Sequence, residues 1–228
     1  MSPFTATLFD LDGTLCQQDQ AVETIYRGAF EQAGVEPFGV PDDLWAALDG
    51  PPPTTPEGQE GYLASGFIKV AAQYGRQSVD ATALADGFLD VVDYAAVSLE
   101  RGAAEALATA RDRGVVGLVT NGPEYRQSVK LTALDLDDAF DVVVYAGDLP
   151  RRKPHRDPFD RALSSVETAA EQALYVGDSL KYDVAGAQGA GLDVAWYNED
   201  GAADPGDYRP DYVLHSLYEL ERVYEGET

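Results

Sequence analysis

Thr5-Ala6-Thr7-Leu8-Phe9-Asp10-Leu11-Asp12-Gly13-Thr14-Leu15 runs a short apolar strand straight into two carboxylates and a glycine. Residues i and i+2 of an extended chain project to the same side, so Asp10 and Asp12 emerge together at the strand's end. Gly13 then lets the backbone turn without the Cβ penalty that other residues carry. Two like charges held so close are costly in a folded protein unless a cation or a shared proton separates their roles. The pattern predicts a metal site joined to acid–base work. Asp-x-Asp-Gly also occurs as a plain surface turn, but such a turn needs no apolar strand to deliver it.

Downstream, short runs rich in β-branched residues alternate with helical patterns, which predicts an α/β fold with a parallel sheet covered by helices. The strands are expected at Thr5–Phe9, Val115–Thr120, Phe140–Tyr145, Ala173–Val176, Asp193–Tyr197 and Tyr212–His215. Helices such as Ala103–Arg113, stopped by Gly114, and Tyr125–Leu134 lie between them. Residues 17–97 break the alternation and read as helices only, at Ala21–Ala33, Asp42–Leu48, Tyr62–Tyr74 and Ala81–Tyr94. The Pro-rich stretch 50–58 reads as a linker or a loop reaching toward a ligand. The expected organisation is a catalytic core from residues 1–16 and 98–228, with 17–97 as a small all-helical cap over the sheet edge where open α/β sheets bind ligands.

Forty acidic against 16 basic residues give a net charge of −24, and only four of the bases are lysines, Lys69, Lys130, Lys153 and Lys181. A field that negative repels nucleic acid and anionic membranes and works against compact folding. Acid excess together with scarce lysine is read as a halophilic surface, on which concentrated salt screens the repulsion. No apolar run approaches the roughly 20 residues of a spanning helix. The N-terminal Met-Ser-Pro-Phe-Thr shows no secretory pattern, and the single Cys16 forms neither an internal disulfide nor a cysteine metal cluster. The expected location is cytoplasmic.

Phe9-Asp10-Leu11-Asp12-Gly13-Thr14-Leu15 resembles the first motif of the haloacid dehalogenase-like hydrolases, and three later stretches resemble the others in order. The resemblance implies a Rossmann-like core with helices on both faces. It makes Asp10 a nucleophile that takes up a phosphoryl group and Asp12 the acid–base. A carboxylate nucleophile divides one hard hydrolysis into two easier displacements, and an acid two residues along can serve both proton transfers. Leu118-Val119-Thr120-Asn121-Gly122 is similar to the second motif, which implies that Thr120 donates to phosphate and Asn121 orients substrate or phosphate. Lys153-Pro154 with Pro158-Phe159 is similar to the third, with one extra residue in the spacer, and implies Lys153 on the phosphate. Independently of any family, Arg151, Arg152, Lys153 and Arg156 concentrate four of the 16 bases in six residues, with His155 a bystander, and read as an anion site. Val176-Gly177-Asp178-Ser179, with Asp183 five residues after Asp178, resembles the metal motif. The implied cofactor is Mg2+, held by an Asp10 oxygen, the Asp12 carbonyl, Asp178, substrate phosphate and water. Asp183 is placed behind them, on a metal-bound water or on Lys153.

Asp12 separates this chain from the dehalogenase and phosphonate-cleaving branches, which lack an acid there. The expected activity is hydrolysis of a small phosphorylated metabolite. A sugar-phosphate mutase or other phosphotransferase shares the four motifs, and a non-enzymatic binding protein could keep the fold alone. No Lys or Arg occurs between Arg27 and Lys69, so a second phosphate would find no clamp in that segment. The leaving group is expected to be small, neutral or apolar, against Trp45, Tyr62 or Phe67; the alternative is that these aromatics form the core of the insert, Phe67 ahead of Trp45.

Overall fold

A computed structural model describes residues 4–199, 201 and 203–226, so Met1, Ser2 and Pro3 of the N-terminal stretch lie outside the described residues. In chain order the elements begin with β1 (Ala6–Phe9), β2 (Cys16–Gln18), α1 (Val22–Ala33), α2 (Pro41–Ala47), α3 (Pro56–Gln73) and α4 (Ala81–Val91). They continue with β3 (Val97–Leu99), α5 (Ala103–Arg113), β4 (Val115–Thr120), α6 (Glu124–Ala133), β5 (Val142–Tyr145) and α7 (Asp157–Ser165). Last come β6 (Ala173–Gly177), a π turn at Leu180–Val184, α8 (Ala185–Ala190), β7 (Asp193–Tyr197), β8 (Tyr212–Leu214) and α9 (Leu220–Glu225). The chain divides into two compact units, Met1–Gln17 with Val97–Thr228, and Gln18–Ala96. It passes out of the first through β2 and back through β3, which pair as a two-stranded ribbon.

The first unit holds a six-stranded parallel sheet in the order β5-β4-β1-β6-β7-β8. Alternation along the strands sends side chains to opposite faces. Phe9, Val116, Leu118, Leu174 and Val176 pack beneath Ala106 and Ala110 of α5 and Val223 of α9. Ala6, Leu8, Val119 and Tyr175 face Phe159 and Ala162 of α7 and Ala187 of α8. Helices therefore cover both faces, as a buried parallel sheet requires. Because β1 lies between β4 and β6, with Phe9 level with Leu118 on one side and Val176 on the other, three motif-bearing strand ends meet at one edge.

The second unit is helical, with its own core of Tyr26, Phe30, Phe38, Leu44, Phe67, Leu84 and Phe88. Here α3 starts at Pro56, inside the stretch expected to be a loop. Thr55 caps it, its Oγ1 accepting from Gly58 N at 3.4 Å, and Pro56 occupies the first helical position, where a missing N–H costs nothing.

Candidate active site

Asp10 follows the last residue of β1, its N–H donating to the Val176 carbonyl at 2.9 Å, which ties the strand end to β6. Its Oδ1 lies 2.9 Å from Lys153 Nζ, which also reaches Asp183 Oδ1 at 2.7 Å and the Tyr175 hydroxyl at 2.9 Å. The side chain of Lys153 is 1% exposed, so all three ammonium protons are satisfied inside the protein. The Lys153-Pro154 peptide is cis. Asn121 fixes this segment from β4, its Oδ1 accepting from Lys153 N at 2.9 Å and its Nδ2 donating to Lys153 O at 3.2 Å. The sequence reading expected that amide to orient substrate or phosphate; in the structure its oxygen and one of its N–H groups engage the lysine's backbone.

Asp178 leaves the end of β6, with Thr14 Oγ1 donating to its Oδ1 at 3.2 Å and Trp196 Nε1 to its carbonyl at 2.7 Å. A Cβ on Gly13 would stand 2.8 Å from Asp178 Oδ2, so the glycine, at φ 78°, serves both the turn and the approach of the second carboxylate. Asp183, fully buried in the π turn, accepts from Lys153 and Tyr175 on one oxygen and from Ser179 N at 2.9 Å on the other. Oxygens of Asp10, Asp178 and Asp183 all lie within 4.8 Å of one another.

With all three carboxylates ionised, the one ammonium of Lys153 would leave two negative charges uncompensated. Burial pushes the Asp10 carboxyl up to about 8, against the pull of Lys153 and with help from Asp183 and Asp178. Burial, then Asp183, pushes Asp178 up to about 6. For Lys153 burial alone would lower the pKa, but Asp10 and Asp183 together raise it. The donor set is all hard oxygen, and its charge deficit is of the sign and size a divalent cation would fill.

Asp12 points to a different set of partners. Its Oδ2 accepts from Gln127 Nε2 at 2.8 Å and its Oδ1 pairs with Lys130 Nζ, both from α6. Gln127 Nε2 also donates to Thr120 Oγ1 at 2.6 Å, leaving the threonine's own proton free to donate elsewhere. Gly122 makes room for this, because a Cβ there would run into the Gln127 side chain. Sequence reasoning assigned no role to Gln127, Lys130, Tyr175 or Thr14.

The basic cluster does not act as one anion site. Lys153 turns inward, whereas the exposed Arg151 and Arg156 pair with Asp157 at 2.8 Å and Asp160 at 2.7 Å on the first turn of α7. In the helical unit Phe67 is fully buried against Tyr26 and Phe30, which makes it core, not a leaving-group contact. Trp45 is 45% exposed and packs edge-to-face on Phe88. Tyr62 donates to the Gly50 carbonyl at 3.2 Å. Arg27 pairs with Glu23 at 2.5 Å and Lys69 with Asp49 at 2.6 Å.

Residues 4–191 match the sequence model of the haloacid dehalogenase-like hydrolases, and the chain belongs to that family. Pyrimidine 5'-nucleotidase YjjG of Escherichia coli is 32% identical over 123 residues, a match spanning 54% of this chain and 55% of that protein. Pyrophosphatase PpaX of Bacillus cereus is 27% identical over 93% of each chain. Among solved structures, the HAD-hydrolase YfnB of Bacillus subtilis, described as bound to magnesium, superposes with a TM-score of 0.74 at 25% identity, covering 97% of this chain and 99% of that one. The nucleotidase and the pyrophosphatase are hydrolases of phosphorylated compounds by name, and the parallel six-stranded sheet flanked by helices agrees with the family's Rossmann-like fold.

Proposed function

We propose that this enzyme is a magnesium-dependent phosphatase that hydrolyses a small phosphomonoester through an aspartyl-phosphate on Asp10. The observation that carries the proposal is the convergence of Asp10, Asp178 and Asp183, the first and last buried and paired with Lys153, a constellation with too much negative charge for a purely structural core.

In the first step an Asp10 oxygen attacks phosphorus, the bond from phosphorus to the ester oxygen breaks, and the Asp12 carboxylic acid gives its proton to that oxygen, releasing an alcohol. In the second, water attacks phosphorus, Asp12 takes the water's proton, and the bond to Asp10 breaks, releasing phosphate. Thr120, whose hydroxyl proton is not used by Gln127, would donate to a phosphoryl oxygen, and Lys153 would offset charge on the nucleophile and the transferring group. Asp10, the Asp12 carbonyl and Asp178 would hold the metal, with Asp183 steering Lys153 from behind. Bound there, magnesium supplies positive charge against the phosphoryl oxygens.

Because Arg27 and Lys69 are already paired within the helical unit, we infer a substrate with one phosphate to bind and disfavour a mutase handling bisphosphates. The division at residues 17 and 97 into catalytic core and cap, a cytoplasmic location and a halophilic surface complete the proposal. The test is a hydrolysis screen in molar KCl with magnesium over 2-phosphoglycolate, sugar phosphates, nucleoside monophosphates and inorganic pyrophosphate. Free phosphate from a monoester is expected, stopped by chelation and restored by magnesium. Isomerised sugar phosphate in its place, or full activity after exhaustive chelation, would overturn the proposal.

A further inference from the structure

Both oxygens of the Asp12 carboxylate are taken by residues of one helix. Lys130 holds Oδ1 and Gln127 holds Oδ2, and the side chains stand three residues apart on α6, one turn of the same face. Lys130 is a long, otherwise mobile side chain, yet it is only 12% exposed, while the Asp12 side chain is 51% exposed. An ion pair between two solvated groups contributes little, but one with a partner so far withdrawn from water fixes geometry. Gln127 is buried and its single amide nitrogen serves two acceptors, Asp12 Oδ2 and Thr120 Oγ1. Asp12 lies after β1 and Thr120 at the end of β4, so α6 links the carboxylate and the hydroxyl across more than a hundred residues of chain.

We propose that Lys130 and Gln127 are positioning residues for the acid–base: they select the Asp12 side-chain orientation, and Gln127 locks it to the Thr120 hydroxyl. This rests on the assignment of Asp12 as acid–base given above. A carboxylate that must give a proton to one oxygen and later take one from water works only if it returns to the same place each time, and small misplacements of a catalytic group are costly. Tethering by two donors on a helix provides that, where the glycine-flanked turn carrying Asp12 does not.

A double-mutant cycle tests the proposal, with magnesium and p-nitrophenyl phosphate, whose leaving group needs no proton from Asp12, so that residual turnover without Asp12 is set by hydrolysis of the intermediate alone. Lys130→Met preserves the stem and removes the charge, and is expected to lower kcat about tenfold or more with little change in KM. In the Asp12→Ala background the same substitution should cost less than about twofold, because there is no carboxylate left to position. Lys130→Arg, which keeps a cation, should recover part of the lost rate. Gln127→Met, tested in the same two backgrounds, serves if Lys130→Met does not fold, and its effect should shrink without Asp12 but not vanish, because Gln127 also holds Thr120. Equal losses in both backgrounds would show a merely structural role and overturn the inference. An Asp12→Ala enzyme as fast as wild type would overturn the acid–base assignment itself, and the positioning role with it.

Discussion

Burial of Asp10 beside two further carboxylates sets up a conflict that a proton or a cation relieves, and it has a signature in stability. The Asp10 carboxyl stands at about 8 and Asp178 at about 6, both above the ordinary 3.8. A raised folded-state pKa means the native state holds more protons than the unfolded one between the two values, so stability falls as pH rises through that window. Metal-free enzyme is therefore expected to melt at progressively lower temperature from about pH 6 to about pH 8.5, a range in which ordinary carboxylates no longer titrate. Asp10→Asn should flatten that slope, and magnesium should raise the melting temperature more at the alkaline end. A metal-free melting temperature independent of pH there would mean that the triad is better compensated than its geometry implies. Asp10, Asp12 and Asp178 were legible in sequence because each lies at or just beyond a strand end, and Lys153 because it precedes a proline within a cluster of bases. Gln127 and Tyr175 were not, since a glutamine on a helix and a tyrosine in a strand say nothing until the fold brings them to Asp12 and Lys153.

Strands and helices of the sheet unit follow from local pattern, since the apolar runs are short and bounded by Gly, Pro and Asp. Where the sequence reading erred, a local rule was outweighed. Prolines at 51–53 and 56 suggested one loop, yet Thr55 and Pro56 together start α3. Phe140 looked like the first residue of β5, but Asp141 turns its carboxylate back to accept from Val116 N at 2.8 Å, and the strand begins at Val142. The sequence leaves Phe67 open between the leaving group and the core of the insert, because aromatic residues in a helical insert carry no label of inside or outside, and the structure places it in the core. With its ring against Tyr26 and Phe30, Phe67→Ala should destabilise the helical unit by about 3–5 kcal/mol, the cost of a large buried cavity. Thermal or urea melts check this. Trp45→Ala, at a half-exposed site, should cost clearly less. Equal losses at the two positions would contradict the assignment of Phe67 to the core.

Charge is the property of the whole molecule that no single contact explains. Ion pairs such as Arg113–Glu221 at 2.5 Å and Arg156–Asp160 at 2.7 Å engage the scarce bases, and most of the −24 remains unpaired. Dialysis from molar KCl into dilute buffer lengthens the Debye screening distance from about 3 Å to 10 Å or more, so the repulsion is felt across the surface. The melting temperature is expected to drop on dialysis and recover when salt is returned. The same melting temperature at both salt concentrations would leave an acidic surface with no halophilic meaning. Among the described residues no helix is long and apolar enough to cross a membrane.

The most direct test of the central claim is to catch the phosphoryl group on the enzyme. On the proposed mechanism Asp12→Ala should slow hydrolysis of the intermediate, so acid quenching of that variant during turnover of p-nitrophenyl phosphate with magnesium should leave the enzyme phosphorylated. Peptide mapping by mass spectrometry then locates the group. The account predicts one phosphoryl group on the peptide carrying Asp10, absent when Asp10→Asn is added. Phosphate on any other residue, or an Asp10→Asn enzyme that still turns over at the wild-type rate, would contradict it.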